Sequence, residues 1–144
     1  MCFNLYAGTI KPIPRKPWNQ VLPDLSVRDL AENETAVRTY FTLPVVQYVR
    51  STSHCGCDFP HLMFQNGGWP APWEDKDPEQ AASDRQNQEA LVTALQQTGE
   101  TGVELYGVWS GDLSEPKSVE EISITDLLNP NFYFKEQGFY RVRL

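Results

Sequence analysis

The strongest secondary-structure signal in the chain lies in residues 77–99, which read DPEQAASDRQNQEALVTALQQTG. Asp77 is suited to the N-cap, Pro78 to the first helical position, and Gln80 to the third position of a capping box. Gly99 is suited to the left-handed position that follows a helix. The segment therefore predicts one long helix that buries a thin apolar stripe and leaves its other face in water.

Segments with a strand pattern flank this helix on both sides. Their apolar and polar residues alternate, or they are rich in β-branched and aromatic side chains. They predict about six strands, drawn from residues 2–10, 25–30, 45–50, 103–110, 119–125, 132–135 and 139–144, with a short helix over residues 32–41 and one helical turn over residues 126–129.

The order of these elements indicates an α+β fold. Most strands follow one another without a helical crossover, whereas a doubly wound fold needs strands and helices in alternation. We predict a single domain over residues 1–144, with a mostly antiparallel or mixed sheet of about six strands and the long and short helices packed on one face. Residues 132–135 and 139–144 are expected to form a hairpin, and Gly107 to mark a β-bulge.

Composition and charge exclude several classes of function. The chain has 144 residues, with 12 Lys and Arg against 19 Asp and Glu, which gives a net charge of −7. A phosphate backbone repels such a charge unless the basic residues cluster, so we predict no nucleic-acid partner. No stretch approaches the ~20 apolar residues of a membrane span, and the start of the chain lacks a signal-peptide pattern. We therefore expect a soluble, acidic, cytoplasmic protein without a membrane partner.

The connection over residues 51–76 is long for a compact domain and contains four large aromatic residues. Long connections of this kind are usually functional or disordered, and aromatic side chains argue for burial. We predict an ordered loop over the end of the sheet, in which Trp69 and Trp73 are mostly buried and close a shallow pocket near Cys55 and Cys57.

The cluster His54-Cys55-Gly56-Cys57 follows the predicted 45–50 strand. Alternate residues of an extended chain point the same way, with Cα atoms about 6.5 Å apart. Gly56 can adopt a positive φ and bring the two cysteines closer. We therefore expect the sulfurs of Cys55 and Cys57 to lie near each other on one side of a turn.

Three interpretations of this cluster compete. In the first, Cys55 and Cys57 are the catalytic groups of a thiol-dependent redox or nucleophilic site beside the aromatic loop, and His54 lowers a thiol pKa. In the second, Cys55, Cys57, His54 and His61 are metal ligands, with zinc as the possible ion and distant Cys2 as a fifth candidate. The Cys-X-Cys spacing is tighter than most zinc motifs.

In the third interpretation the cysteines are inert, and the protein is a non-enzymatic binding or interaction module. Cys2 is then an ordinary first residue of a strand. An unknown small molecule or another protein is the expected partner in each case. The sequence predicts no cofactor beyond the possible zinc ion and is compatible with both an enzymatic and a non-enzymatic function.

Overall fold

A computed structural model describes residues 2–64, 70–72 and 77–144. A mixed six-stranded sheet forms its centre, and two very short strands pair separately. The strands are β1 (Phe3–Thr9), β2 (Ser26–Asp29), β3 (Val45–Arg50), β4 (Met63–Phe64), β5 (Pro70–Ala71), β6 (Gly102–Trp109), β7 (Ser118–Ser123) and β8 (Gly138–Arg143). The long helix is α1 (Pro78–Gln96), and two 3₁₀ helices span Glu32–Tyr40 and Asp126–Leu128.

The sheet has the strand order β2-β3-β1-β6-β8-β7. All neighbours are antiparallel except β7 and β8, which run parallel. This confirms the predicted α+β fold with a mostly antiparallel, mixed sheet. The strand β1 lies in the middle, between β3 and β6, and six of its seven residues are buried.

The predicted hairpin near the end of the chain is wrong. Strand β8 pairs with β6 on one side and β7 on the other, so both of its edges are taken. Of residues 132–135, Phe134 forms only an isolated bridge, with His61. Its ring is fully buried among aromatic neighbours, so the apolar pattern of this segment reflects core packing rather than a place in the sheet.

The sheet is covered on both faces, which corrects the expectation that both helices share one face. Leu91 and Leu95 of α1 pack over one face in the larger hydrophobic cluster. Val37 of the first 3₁₀ helix and Phe41 just after it cover the other face in a second cluster. Both covers are needed because the side chains on both faces of an interior strand such as β1 are largely buried.

The ends of α1 follow the local sequence signals. Asp77 Oδ1 accepts a hydrogen bond from the Gln80 amide nitrogen at 2.7 Å, and Gly99 has a φ of 68°. The side chain of Gln80, expected to close the capping box, donates to Asp58 and Asp84. The first turn of α1 is thereby tied to the segment after β3. No helix of the described residues is long and apolar enough to cross a membrane.

Gly107 does not form a bulge, because its register with β1 and β8 is continuous. A Cβ atom at this position would lie 2.4 Å from Cζ of Phe3. The missing side chain therefore makes room for the Phe3 ring, which is fully buried. The space at Gly107 holds the Phe3 ring and so positions the start of β1, where Cys2 and Phe3 contact the turn that follows β3.

Candidate functional site

A tight turn after β3 carries two of the three cysteines. The Ser51 amide donates to the Cys55 carbonyl at 2.6 Å, and the His54 amide donates to the Ser51 carbonyl at 3.2 Å. His54 has a φ of 71°, a left-handed conformation that is uncommon for residues other than glycine. The left-handed position of the turn thus falls at His54 and not, as predicted, at Gly56.

Gly56 is required for a different reason. Its amide donates to the Phe3 carbonyl at 2.7 Å. A Cβ atom at Gly56 would lie 2.7 Å from that same carbonyl oxygen. The turn therefore packs backbone to backbone against the start of β1, which only glycine permits without a shift. This contact brings Cys57 beside Cys2, although the two residues are far apart in sequence.

The Sγ atoms of Cys2, Cys55 and Cys57 all lie within 4.8 Å of one another. The close approach expected for the sulfurs of Cys55 and Cys57 is therefore present, and Cys2 adds a third sulfur. Cys55 is buried, Cys57 is half-buried and Cys2 is exposed. The cluster is consequently anchored in the protein at Cys55 and open to solvent at Cys2.

Hydrogen-bond donors point at two of these sulfurs. The Phe3 amide donates to Cys57 Sγ at 3.2 Å, and the Cys57 amide donates to Cys55 Sγ at 3.4 Å. The Ser53 hydroxyl lies 3.6 Å from Cys55 Sγ. Such donors stabilise a thiolate more than a thiol. The local backbone is therefore arranged to hold negative charge on sulfur.

The three thiols share their protons unequally. A hydrogen bond from the Cys57 thiol, opposed by burial and supported by the Cys57 amide and Ser53, lowers the pKa of Cys55 to about 5. The same hydrogen bond, together with burial, raises the pKa of Cys57. A hydrogen bond with Cys55 and burial raise the pKa of Cys2. The surroundings thus favour the thiolate form at Cys55 and the thiol form at Cys57 and Cys2.

The His54 ring faces away from this cluster. Its Nε2 atom lies 2.6 Å from Nη1 of Arg50, and its ring packs on Trp18 with centroids 4.5 Å apart. Because a guanidinium only donates hydrogen bonds, His54 Nε2 is the acceptor. His54 thus contributes to the turn through its contacts with Arg50 and Trp18, and its ring does not face Cys55.

His61, the other predicted ligand, is buried elsewhere. Its ring stacks on Phe3 with centroids 4.7 Å apart, and its Nδ1 atom lies 2.7 Å from the Phe59 carbonyl oxygen. Neither histidine belongs to the group of ligand atoms formed by the three sulfurs. The structure therefore gathers Cys55 and Cys57 from the predicted ligand set and joins them to Cys2.

The predicted aromatic closure of the site falls on Trp69 and Trp73, which lie outside the described residues. A cavity of about 290 Å³ is present beside the same connection, between α1 and the segment after β7. His61, Asp84, Gln88 and Leu127 are among its lining residues. Among the described residues that line it there is no cysteine, so this cavity is separate from the sulfur cluster.

Comparison with known proteins adds no assignment to this geometry. No protein-family model matches the chain, and neither a curated protein nor a solved structure matches it. The chemistry of the three sulfurs and their surroundings is the basis for a functional interpretation.

Proposed function

We propose that the protein binds a thiophilic metal ion, with zinc as the best fit, through Cys2, Cys55 and Cys57. The observation that carries this proposal is the convergence of three sulfurs from two distant segments within 4.8 Å. Two cysteines are enough for a disulfide, whereas a third converging thiol is what a metal site requires. Three of the four ligands that zinc usually takes are thereby in place.

The spacing of the sulfurs suits zinc after a small contraction. A zinc–sulfur bond of about 2.3 Å in tetrahedral geometry separates neighbouring sulfurs by about 3.8 Å. The observed upper limit is 4.8 Å. The most widely separated pair of sulfurs therefore has to approach by at most about 1 Å for all three to bind one zinc ion.

The surroundings of the sulfurs also support a metal centre. Amide groups that donate to ligand sulfurs orient them and spread their charge. The amides of Phe3 and Cys57 serve this purpose here. Arg50 directs its Nη1 atom at His54 Nε2, and no lysine or arginine of the described residues is among the groups that shift the pKa values of the three thiols, so a bound ion would supply the positive charge that more than one thiolate needs.

Metal analysis tests this proposal directly. Protein purified without a metal-affinity column should contain one equivalent of zinc, and cobalt substitution should give the charge-transfer absorption of cobalt–thiolate bonds. Cys2→Ser, Cys55→Ser and Cys57→Ser should each reduce metal content. His54→Asn is the matched control, because asparagine tolerates a positive φ and His54 is not a proposed ligand. Metal-free wild-type protein that takes up no zinc would contradict the proposal.

A second candidate function is thiol redox chemistry, which the hydrogen bonds to the buried Cys55 sulfur favour. In this case the exposed Cys2 attacks an external disulfide and its proton passes to the sulfur that leaves. The Cys55 thiolate then attacks Cys2 Sγ and displaces the second external sulfur as a thiolate. The products are one protein disulfide and two external thiols. Oxidised glutathione should convert metal-free protein to an intramolecular disulfide that peptide mapping identifies. Three unreactive thiols in protein that binds no metal would favour a binding module with inert cysteines.

A further inference from the structure

We infer that the zinc ion keeps one coordination position open, and that a small external thiol occupies this position as a thiolate. This inference rests on the proposed metal-binding function and names the ligand class that the same site accepts. It follows from the number of sulfurs, the engagement of the two histidines, and the exposure of Cys2.

The number of protein ligands decides whether a zinc site has an open position. Zinc sites with four protein ligands are closed, whereas sites with three keep a position for water or substrate. The described residues supply three sulfurs. The two histidines of the chain make other contacts, His54 with Arg50 and Trp18, and His61 with Phe3 and Phe59.

The exposure of the three cysteines decides from which side an external ligand can reach the ion. Cys55 is buried beneath the turn and Cys57 is half-buried, whereas Cys2 is exposed. An ion bound to all three sulfurs therefore contacts the protein on the Cys55 side and is reached from solvent on the Cys2 side. A ligand of a few atoms can approach from that side without displacing a protein sulfur.

The sulfur ligands of the site decide which chemical class of external ligand suits the ion. Thiolate ligands suit ions such as Zn²⁺, and a further thiolate is therefore the ligand class that matches an ion already bound to three sulfurs. A thiol that binds a zinc ion is deprotonated, because the ion stabilises the thiolate. In the exchange, the zinc–sulfur bond forms, the zinc-bound water leaves, and the thiol proton passes to solvent. No oxidant or reductant is required.

Cobalt-substituted protein tests the open position with a single probe. We expect 2-mercaptoethanol, added to the protein in thiol-free buffer, to raise the thiolate-to-cobalt charge-transfer absorption by about one third, since a fourth cobalt–sulfur bond joins three. The rise should saturate at one equivalent bound. Ethylene glycol, the oxygen analogue of the probe, should leave the spectrum unchanged. His54→Asn should behave as wild type.

The cobalt spectra distinguish a failure of the open position from a failure of metal binding. A three-thiolate spectrum that millimolar 2-mercaptoethanol does not change would overturn the open position and leave the metal site intact. Cobalt that leaves the protein with the probe during gel filtration would also overturn it, because the probe would then have replaced the protein sulfurs. A protein that never develops cobalt–thiolate absorption would instead overturn the proposed metal binding.

Discussion

Two clusters of ionisable side chains in this protein differ in how their charges are balanced. On the sheet face covered by the first 3₁₀ helix, Glu34 accepts hydrogen bonds from Arg28 Nη1 and the Tyr6 hydroxyl, both at 2.6 Å. The negative charge of the Glu34 carboxylate is thus balanced by Arg28 within the protein. Cys2, Cys55 and Cys57 instead bring together three groups that become negative when they ionise.

The difference separates a structural arrangement from a functional one. An acid that faces a guanidinium contributes to folding without any further partner. Three thiols that face one another repel when more than one is ionised, so the cluster keeps its protons or takes up a cation. We therefore expect substitutions at Glu34 to change stability alone, and substitutions at the cysteines to change ligand binding.

The largest effect should come from Cys55→Ser, which removes the buried sulfur of the cluster. Loss of a direct ligand should lower zinc affinity by more than the ~100-fold that a hydrogen-bonding partner of a ligand contributes. Competition with a chromophoric chelator measures the affinity. Ser53→Ala, which removes only a hydroxyl near Cys55, should have a clearly smaller effect. Equal losses of zinc affinity in the two variants would contradict a direct ligand role for Cys55.

The next effect tests the other side of the comparison. Glu34→Ala removes the carboxylate that accepts from both Arg28 and the Tyr6 hydroxyl. Breaking a buried ion pair costs about 3–5 kcal/mol, and the partial exposure of Arg28 reduces this to about 2–3 kcal/mol. Urea unfolding of metal-free protein measures the loss. Zinc stoichiometry should remain that of wild type, and a variant that lost its zinc would link two sites that we describe as independent.

A smaller effect is expected for Gly56→Ala. The added Cβ atom would lie 2.7 Å from the Phe3 carbonyl oxygen, so the turn must move away from β1. Overpacking of this kind costs about 1–3 kcal/mol, and zinc affinity should fall with it. Gly102→Ala is the control, because a Cβ atom at Gly102 would lie 3.4 Å from the Val142 carbonyl oxygen, which is an ordinary contact distance. Unfolding and zinc titration of both variants provide the measurement.

The smallest effect is a dependence of stability on pH. Burial acts to raise the pKa of Glu34, but hydrogen bonds from Arg28, Tyr6 and the Ala31 amide outweigh it, and the pKa lies below its usual 4.5. The resulting stabilisation is complete above pH 4.5 and is lost as the pH falls below it. Metal-free wild type should therefore lose its advantage over Glu34→Gln in acid. An advantage that did not decrease at all as the pH fell below 4.5 would contradict this assignment.

The elements that the sequence predicts well are those with local signals. The N-cap at Asp77 and the left-handed Gly99 delimit α1 through hydrogen bonds and dihedral angles of a few neighbouring residues. Strands β1 and β3 also follow their patterns. The predicted hairpin after residue 131 fails because a run of buried aromatic residues has the same pattern as a strand.

The site is predicted only in part because it depends on long-range packing. The spacing of Cys55 and Cys57 indicates that their sulfurs are close, but Cys2 joins them through the pairing of β1 with β3 and β6. No local pattern marks that contact. His54 is adjacent to Cys55, yet its positive φ turns the ring toward Arg50. The signal that could have found Cys2 is the small residue Gly56, whose close approach requires a neighbouring backbone.

The central place of β1 has a consequence for how the protein is made. This strand leaves the ribosome before β3 and long before β6, the two strands that flank it. Pairings between strands so far apart in sequence form slowly, because a long loop must close first. The three thiols therefore stay apart until Cys57 has been made, and they meet only when β1 closes against β3 and the turn that follows it. An ion held by all of them marks molecules in which that closure has occurred.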